Sequence, residues 1–397
     1  MLLLADDGPT AWTERCGRRS DELLLLADAD QPPVLHATES QFLMQRSGRA
    51  EAAETLLLLH PADRRCPQGT RHWLARRSVT DHLHIRPAHA PDLARLARIL
   101  SRTAVGLVLA GGGARGLAHL GVLQALKARG VEIDMVGGTS IGSVMATLVA
   151  SDRPLPEVMT VARHAFGTNP TGDYNLLPTI SLIKGRRMRR IVSTAVHELL
   201  GGAPDMEDLW KSCYCVASNY SLSSEQVIRH GPLQQGMLAS MAIPGAFPPV
   251  LVDGELLCDG GTFNNFPVDV MRANPRIGRV IGVDLSFRKS RRIELAEVPG
   301  AWALFRDRLR PRAQRRYRLP SLVAYLMNVT VMFSTSRQRQ ARKLTDLYFN
   351  PPLERVGMLQ WNRFDSIVEQ GRQYAEQVLD ALPPQALEPY QNPGASP

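Results

Sequence analysis

The chain has 397 residues, of which 44% are hydrophobic and 21% charged, and its formal net charge is +9. This composition excludes a disordered or fibrous chain and is typical of a globular protein with a sizeable core. The five cysteines are too scattered for a disulfide framework, which favours a reducing compartment. No uninterrupted apolar run reaches about 18 residues, so we expect a cytoplasmic protein, or one bound peripherally at the inner membrane face.

The first part of the chain, residues 1–104, alternates short apolar runs with turn signals and helical patches. The runs are Leu2–Ala5, Leu23–Ala27, Leu56–Leu59 and His82–Ile85. They predict an N-terminal α/β segment without a catalytic motif. Three histidines, His82, His84 and His89, alternate along a strand and enter a proline-rich loop, with neither cysteines nor an acidic cluster beside them. We therefore predict no metal site here.

A glycine-rich turn follows the apolar strand Val105–Ala110 and begins a helix. We call it the glycine turn, and its residues are Gly111, Gly112, Gly113, Ala114, Arg115 and Gly116. A phosphate-binding loop is excluded because Leu117 occupies the position of the required lysine. Two interpretations stay open. Gly111, Gly113 and Gly116 match a dinucleotide fingerprint with Asp134 as the ribose-binding acid, whereas consecutive backbone N–H groups would also suit an oxyanion hole.

The next strand ends in a second glycine-flanked turn, which we call the elbow turn. Gly138, Ser140 and Gly142 form a GxSxG sequence, and the helical apolar pattern begins directly after it. Such a sequence between a strand and a helix predicts a nucleophile elbow, a turn so tight that side chains beside the serine would clash. Ser140 would also lie at a helix N-terminus, which favours developing negative charge.

Two aspartates lie close together further along the chain, and their contexts differ. Asp253 and Gly254 separate two short apolar runs, which is a hairpin-turn signal. Asp259 ends the second run and is followed by Gly260 and Gly261, which permit close approach of the backbone. We therefore interpret Asp253 as a turn residue and Asp259 as a site residue.

The glycine turn, the elbow turn and the Asp259–Gly261 run together resemble the three motifs of the patatin-like phospholipase family, in its order. The resemblance implies a three-layer α/β fold with a central, mostly parallel sheet flanked by helices. It also implies Ser140 as the nucleophile, Asp259 as the base and the glycine turn as the oxyanion hole. No metal or cofactor is expected, and the substrate would be a phospholipid or lysophospholipid. His119, on the helix after the glycine turn, is the backup base, although a core role suits its apolar neighbours better.

The early stretches from Trp12 to Leu26 and from His82 to Arg86 resemble the region preceding the catalytic domain in the neuropathy target esterase branch of that family. Members of this branch often carry cyclic-nucleotide-binding domains further upstream. This sequence lacks them, so we expect a shortened member without cyclic-nucleotide regulation. A lysophospholipase activity is implied by this branch resemblance alone. The alternatives are a dinucleotide-binding module and a catalytically inactive lipid-binding scaffold.

The positive charge is concentrated after the last motif. Residues 276–318 contain 13 Lys or Arg and 4 Asp or Glu, a difference of +9. We expect no nucleic acid partner because no interleaved aromatics accompany these charges. Peripheral contact with an anionic membrane suits an acyl hydrolase better, and a solvated arginine-rich face is the plain alternative. A second basic run, Leu182–Arg190, could contact a phosphate headgroup or be a solvated helix face.

These patterns divide the chain into four parts. We predict an N-terminal α/β segment (1–104), a patatin-like catalytic domain (105–285), a basic, mainly helical C-terminal extension (286–381) and a disordered tail (382–397). The tail prediction follows from its many prolines.

Overall fold

The structure is a computed structural model of the chain. It describes residues 1–43, 53–286, 297–311 and 329–391, with the shorter pieces 295, 314–317, 319 and 325 between them. Within these residues the fold is built on a three-stranded sheet, the N-terminal sheet, and an eight-stranded sheet, the main sheet.

The regular elements follow one another along the described chain. The strands are β1 (Glu22–Asp28), β2 (Ala53–Leu59), β3 (Asp81–Ile85), β4 (Ala104–Leu109), β5 (Met135–Thr139), β6 (Ser212–Asn219), β7 (Ser224–Ile228), β8 (Val250–Val252), β9 (Glu255–Asp259), β10 (Ile277–Val283) and β11 (Leu347–Phe349). The α-helices are α1 (Ala11–Arg19), α2 (Thr70–Leu74), α3 (Ala90–Leu100), α4 (Ala118–Ala128), α5 (Ile141–Ala150), α6 (Leu155–Phe166), α7 (Arg186–Leu200), α8 (Leu233–Ser240), α9 (Val268–Arg272), α10 (Ala301–Arg308), α11 (Met332–Lys343) and α12 (Phe364–Asp380).

The main sheet has the order β11-β10-β4-β5-β6-β9-β8, and β7 also pairs with β6. Strands β11, β10, β4, β5 and β6 are parallel, and β7, β8 and β9 add antiparallel pairs. Alternate residues of β4 enter two different cores: Val105 and Leu107 face the larger one, and Val108 faces the smaller one. Helices α4 to α8 and α12 line the larger core, whereas α9 and α11 line the smaller one. This arrangement confirms the predicted three-layer α/β fold.

The direction of the strands determines where the two glycine-containing turns lie. β4 and β5 are parallel neighbours in register, with Leu109 opposite Gly138. Carboxyl ends of parallel strands meet at one edge of a sheet, which is where ligands bind in α/β folds. The glycine turn after β4 and the elbow turn after β5 therefore lie side by side at this edge.

The N-terminal sheet consists of β1, β2 and β3, which are all parallel. Three of the four apolar runs noted in the sequence form these strands. The first run, Leu2–Ala5, is not a strand, and its Leu2 and Leu4 are exposed. The buried Arg276 directly precedes β10 and connects the N-terminal sheet to the main sheet. Its guanidinium donates to Thr55 Oγ1 at 2.7 Å and pairs with Glu22.

The C-terminal extension is part of the main domain. Strand β11 pairs with β10 at the edge of the main sheet. Helix α12 contributes the buried residues Ile367 and Ala375 to the larger core. The expected boundary at residue 285 therefore does not close the domain, because the sheet and core are completed by residues more than sixty positions later.

The predicted disordered tail is wrong for residues 382–391. Pro384–Tyr390 forms a 3-10 helix, and Leu387 and Tyr390 are buried in the larger core. The side-chain amide of Gln391 donates to the carbonyl oxygen of Arg129 at 2.7 Å. Prolines do not prevent order here because the segment offers two apolar side chains to the core. Residues 392–397 lie outside the described residues.

The basic segment 276–318 is not a uniform positive surface. Arg276 is buried, as described above, and Arg279 forms an ion pair with Asp346. Residues 287–294 of this segment lie outside the described residues. Among the helices that the structure describes, none combines the length and apolar character needed to cross a bilayer.

Candidate active site

Ser140 occupies the elbow turn in a backbone conformation that residues other than glycine rarely adopt. Its backbone angles are φ 56° and ψ −127°, and α5 begins at the next residue. A Cβ on Gly142 would lie 2.1 Å from the carbonyl oxygen of Leu109, so this position requires glycine. The Ser140 amide donates to Ser240 Oγ at 2.9 Å. A strained serine held this way at a helix N-terminus is the geometry of a nucleophile elbow.

Asp259 lies beside Ser140 because of the pairing along β6. Thr139, the last residue of β5, pairs with Val216, and Asp259, the last residue of β9, pairs with the following residue, Ala217. The ends of β5 and β9 therefore meet on consecutive positions of one strand. This brings together two residues that are 119 positions apart in the sequence.

The Asp259 carboxylate is buried, with 6% of the residue exposed. Its Oδ1 accepts a hydrogen bond from the Gly261 amide at 2.7 Å. Its Oδ2 is also buried and, among the described residues, accepts no hydrogen bond of normal geometry. The Ser140 hydroxyl is nevertheless close enough to favour the ionised carboxylate.

Burial makes Asp259 a stronger base than an exposed aspartate. Desolvation raises the pKa of Asp259 to about 6, and the Ser140 hydroxyl and Gly261 amide offset part of this effect. Among the described residues no cation contributes to this shift in pKa. Asp259 is therefore ionised at neutral pH yet has a pKa close enough to that pH to accept a proton.

The glycine turn lies against the elbow turn, but only some of its amides are free. A Cβ on Gly111 would lie 3.1 Å from Ser140 Cβ. The amide of Gly111 donates to the Asn265 carbonyl at 3.1 Å, and that of Ala114 donates to the Met358 carbonyl at 2.8 Å. Within the described residues the amides of Gly112 and Gly113 have no acceptor.

Only part of the glycine turn can supply the N–H donors of the expected oxyanion hole. The sequence suggested all residues from Gly111 to Gly116, whereas the amides of Gly111 and Ala114 already donate to backbone carbonyls, which leaves Gly112 and Gly113 as the candidate donors. Gly113 has φ +59°, and a Cβ there would lie 2.4 Å from the Met358 carbonyl oxygen. The guanidinium of Arg115 donates to the Val356 carbonyl at 2.7 Å, so its side chain holds the C-terminal segment.

Three residues that the sequence interpretation did not assign a role hold these turns together. Asn265 donates from Nδ2 to the Gly111 carbonyl at 3.1 Å. The Asn264 carbonyl accepts the Thr139 hydroxyl at 2.8 Å. Ser240 accepts the Ser140 amide and donates to the Val216 carbonyl at 2.6 Å. The asparagines follow shortly after Gly261 in the sequence, but nothing in the local sequence distinguishes Ser240.

His119 is a core residue and does not contact Ser140 in the described structure. It is 2% exposed, and its Nε2 donates to the Ala110 carbonyl at 2.9 Å. Burial lowers the pKa of His119 to about 4. The backup role as general base is therefore not supported. The bond to Ala110 instead fixes the residue that precedes the glycine turn.

The dinucleotide interpretation is also not supported, because Asp134 lies at the wrong end of the sheet. It precedes β5, whereas the glycine turn follows the carboxyl end of β4. Its carboxylate accepts two hydrogen bonds from Arg98, at 2.6 and 2.9 Å, and one from the Val105 amide. A ribose-binding acid must lie on the ligand side of the sheet, so Asp134 is structural.

A cavity elsewhere in the fold does not contain the candidate active site. A cavity of about 1070 Å³ lies between the N-terminal sheet and the main sheet, with His82, Trp210 and Arg276 among its lining residues. Neither Ser140 nor Asp259 lines it. His82 and His84 bond through Nε2 to the carbonyl of Glu207, which makes them part of the contact between the N-terminal sheet and the segment that precedes β6.

The fold and the site define an α/β protein with a serine at a nucleophile elbow and a buried aspartate beside it. Residues 107–272 match the family described as patatin-like phospholipase, and residues 1–90 match the one described as the neuropathy target esterase family P-loop like domain. The chain therefore contains a patatin-like phospholipase domain, preceded by the P-loop like domain of the neuropathy target esterase family. This confirms the resemblance that the three motifs indicated.

Several relatives match almost the whole chain. Patatin-like phospholipase domain-containing protein ZK370.4 of Caenorhabditis elegans is 31% identical over 96% of this chain and 31% of its own length. Patatin-like phospholipase domain-containing protein 6 of Homo sapiens is 31% identical over 96% of this chain and 29% of its own length. Lysophospholipase NTE1 of Mycosarcoma maydis is 30% identical over 94% of this chain and 22% of its own length. The chain thus spans less than a third of the length of these relatives. Similarity to the solved structure of VipD from Legionella pneumophila is weaker, at 15% identity and a TM-score of 0.37, covering 70% of this chain and 67% of that one.

Proposed function

We propose that this chain is a serine acyl hydrolase that cleaves carboxylic ester bonds of phospholipids or lysophospholipids. Ser140 is the nucleophile, Asp259 is the base, and the amides of Gly112 and Gly113 form the oxyanion hole. The observation that carries the proposal is the pairing of Thr139 and Asp259 with consecutive residues of β6, which supports this pair of residues because it brings the ends of β5 and β9 together. No metal or cofactor takes part in this scheme.

In the acylation step the Ser140 hydroxyl attacks the ester carbonyl carbon, and Asp259 accepts the hydroxyl proton. The carbonyl oxygen becomes an oxyanion that accepts hydrogen bonds from the two free amides. Each such donor is typically worth about 2.7–4 kcal/mol in the transition state. When the tetrahedral intermediate collapses, the bond to the alcohol breaks and Asp259 returns its proton to the departing alkoxide. The acyl group then remains on Ser140.

In the deacylation step a water molecule attacks the acyl carbonyl. Asp259 takes a proton from that water, and the same amides stabilise the second oxyanion. Collapse breaks the bond to Ser140, and Asp259 gives the proton back to the serine oxygen. The products are a fatty acid and the free enzyme, so Asp259 acts once as base and once as acid in each half of the reaction.

The substrate class rests on the relatives, one of which carries the name lysophospholipase. We extend lipid ester hydrolysis to this chain because all three motifs of the family are present in it. Contact with an anionic membrane through the exposed part of segment 276–318, and a cytoplasmic or inner-face location, belong to the same proposal.

A fluorophosphonate probe tests the proposal directly, because it reacts only with an activated serine. We expect stoichiometric labelling at Ser140, none in Ser140→Ala and strongly reduced labelling in Asp259→Asn. Two neighbouring variants are matched controls. Ser143→Ala removes another serine, from the start of α5, and Asp253→Asn changes the hairpin aspartate at φ 50°, a conformation that asparagine tolerates.

Both controls should label like the unchanged chain. Absence of labelling in the folded chain would contradict an active hydrolase and would favour the inactive lipid-binding scaffold. Labelling that persists in Ser140→Ala would place the nucleophile elsewhere.

A further inference from the structure

The segment from Tyr174 to Ile183, which we call the apolar hairpin, presents an apolar tip to solvent. Tyr174 and Ile183 form an antiparallel bridge, and the Asn175 amide donates to the Leu182 carbonyl at 2.9 Å. Between them, Leu176 is 95% exposed and Leu177 is 80% exposed, and Ile180 is exposed as well. The backbone is held in a fixed shape, but the side chains at its tip are not covered by any described residue.

Five cations follow the apolar tip directly. All of them are exposed, and within the described residues none forms an ion pair: Lys184, Arg186, Arg187, Arg189 and Arg190. The carboxylate of Asp173 lies at the start of this helix and accepts the backbone amides of Arg186 and Arg187 through Oδ2, so it contacts their amides and forms no ion pair with their guanidinium groups among the described residues. This contrasts with the arginines elsewhere on the main domain, such as Arg272 and Arg337, which pair with carboxylates.

The apolar hairpin is connected to the candidate active site through one short loop. The amides of Leu182 and Ile183 donate to the carbonyls of Gly245 and Ala246, both at 2.9 Å. The chain just before this loop holds the site, because Ser240 accepts the Ser140 amide and the Ala242 carbonyl accepts the Asp259 amide at 2.9 Å. The apolar hairpin and the site are therefore held by the same short segment, residues 240–246.

We propose that the apolar hairpin and the basic start of α7 dock the protein on an anionic lipid bilayer. The tip would enter the acyl boundary while the five cations contact lipid phosphates. Apolar side chains gain free energy on leaving water, and cations near an anionic surface add to it. A second copy of this chain is the poorer occupant, because a symmetric contact through this surface would bring five unpaired cations against five others.

This inference rests on the proposed function in one respect, since a lipid ester substrate explains why a membrane-docking surface lies beside Ser140. Docking itself requires no catalysis. It can therefore be measured on lipids that cannot be hydrolysed, and the failure of one proposal can be distinguished from the failure of the other.

The experiment is flotation of the full chain with vesicles of ether-linked phosphatidylcholine, with and without ether-linked phosphatidylglycerol. We expect binding to the anionic vesicles that weakens as salt is added. The double variant Leu176→Ser/Leu177→Ser should bind at least about tenfold more weakly. Arg186→Gln/Arg190→Gln should lose about 25-fold, at about fivefold for each cation near the surface.

Matched controls change exposed residues of the same types elsewhere. Leu222 and Leu251 are 61% and 62% exposed, and Arg15 and Arg19 are exposed on α1 without ion pairs among the described residues. Leu222→Ser/Leu251→Ser and Arg15→Gln/Arg19→Gln should bind vesicles like the unchanged chain. All these variants should keep the rate on a water-soluble short-chain ester, which verifies that they are folded.

Equal flotation of hairpin variants and the unchanged chain would overturn the proposal. So would equal loss in the controls, or a change of oligomeric mass in Leu176→Ser/Leu177→Ser without a change in vesicle binding, since the hairpin would then be a contact between copies. If the unchanged chain floats but does not hydrolyse the soluble ester, docking stands and the hydrolase proposal fails.

Discussion

Buried aspartates lie at both ends of the main sheet, and their surroundings differ. At the amino end, Asp134 accepts two hydrogen bonds from Arg98 and one from the Val105 amide. At the carboxyl end, Asp259 accepts one amide hydrogen bond, and within the described residues it has no ion pair. The same residue type at similar burial is thus an anchor where a cation neutralises it and a candidate base where none does.

The strongest test of the difference between the two aspartates is to neutralise Asp259 at the carboxyl end. In Asp259→Asn we expect kcat/KM on a lipid ester to fall by about 10⁴-fold, because the proton acceptor is lost while the shape is kept. Steady-state kinetics with a circular dichroism check measures this. A variant within tenfold of the unchanged chain would remove Asp259 from the mechanism.

The matching substitution at the amino end should affect stability rather than catalysis. Asp134→Asn removes the charge that neutralises the largely buried Arg98, so we expect the free energy of unfolding to fall by about 3–5 kcal/mol. Denaturant unfolding measures the loss, and kcat of the protein that stays folded should be unchanged. A catalytic loss without destabilisation would revive a functional role for Asp134.

The Asp259 carboxylate should make the folded chain less stable as the pH rises. Because its pKa in the folded chain is raised to about 6 from 3.8, its favourable contribution is complete below pH 3.8 and is lost as the pH rises to about 6. Asp259→Asn removes that loss, so above pH 6 the variant should be more stable by up to about 3 kcal/mol. Thermal unfolding at pH 4 and pH 8 compares the two proteins.

An Asp259→Asn variant that gains no stability at pH 8 relative to pH 4 would show that the carboxylate is better solvated than its burial indicates. The Asp253→Asn protein is the control, because that exposed hairpin residue should show no such difference.

Activity should follow the ionisation of the same carboxylate. Since the base must be ionised, we expect kcat/KM to rise with pH, to reach half its plateau near pH 6 and to fall about tenfold for each pH unit below that. A pH profile on a soluble ester at constant ionic strength measures this. A midpoint near pH 4 would instead indicate an aspartate that behaves as if it were exposed.

The smallest effect should come from His119. His119→Ala removes the hydrogen bond to the Ala110 carbonyl, so we expect a loss of about 1–3 kcal/mol in stability and less than tenfold in kcat, with the pH midpoint unchanged. His119→Gln, which can still donate to that carbonyl, should recover part of the stability. Abolished activity in a folded His119→Ala protein, with full activity in Asp259→Asn, would indicate a serine-histidine mechanism.

The elbow turn and the strands around it could be predicted because their signals are local. Glycines beside Ser140 and the apolar period after it act over a few residues, and the structure has the expected strand, turn and helix there. The choice between Asp253 and Asp259 also followed from neighbours in sequence. By contrast, the occupied amides of Gly111 and Ala114 could not be predicted, because their acceptors, Asn265 and Met358, come from distant parts of the chain.

The predicted end of the catalytic domain at residue 285 also depended on contacts between distant parts of the chain. Strand β11 has only three residues, too few for a reliable pattern, and it is defined by its pairing with β10. The ordered Pro384–Tyr390 helix likewise depends on the core that receives Leu387 and Tyr390. Composition described the tail as proline-rich but contained no information about this partner surface.

By itself the sequence determined the kinds of turn and the residue types available to them, since backbone conformation and apolar periodicity are set by neighbouring residues. Only the tertiary structure decided which strand ends meet on β6, which amides stay free and which carboxylate receives a cation. Those outcomes depend on pairing between strands far apart in the chain and on the removal of water from the groups they enclose.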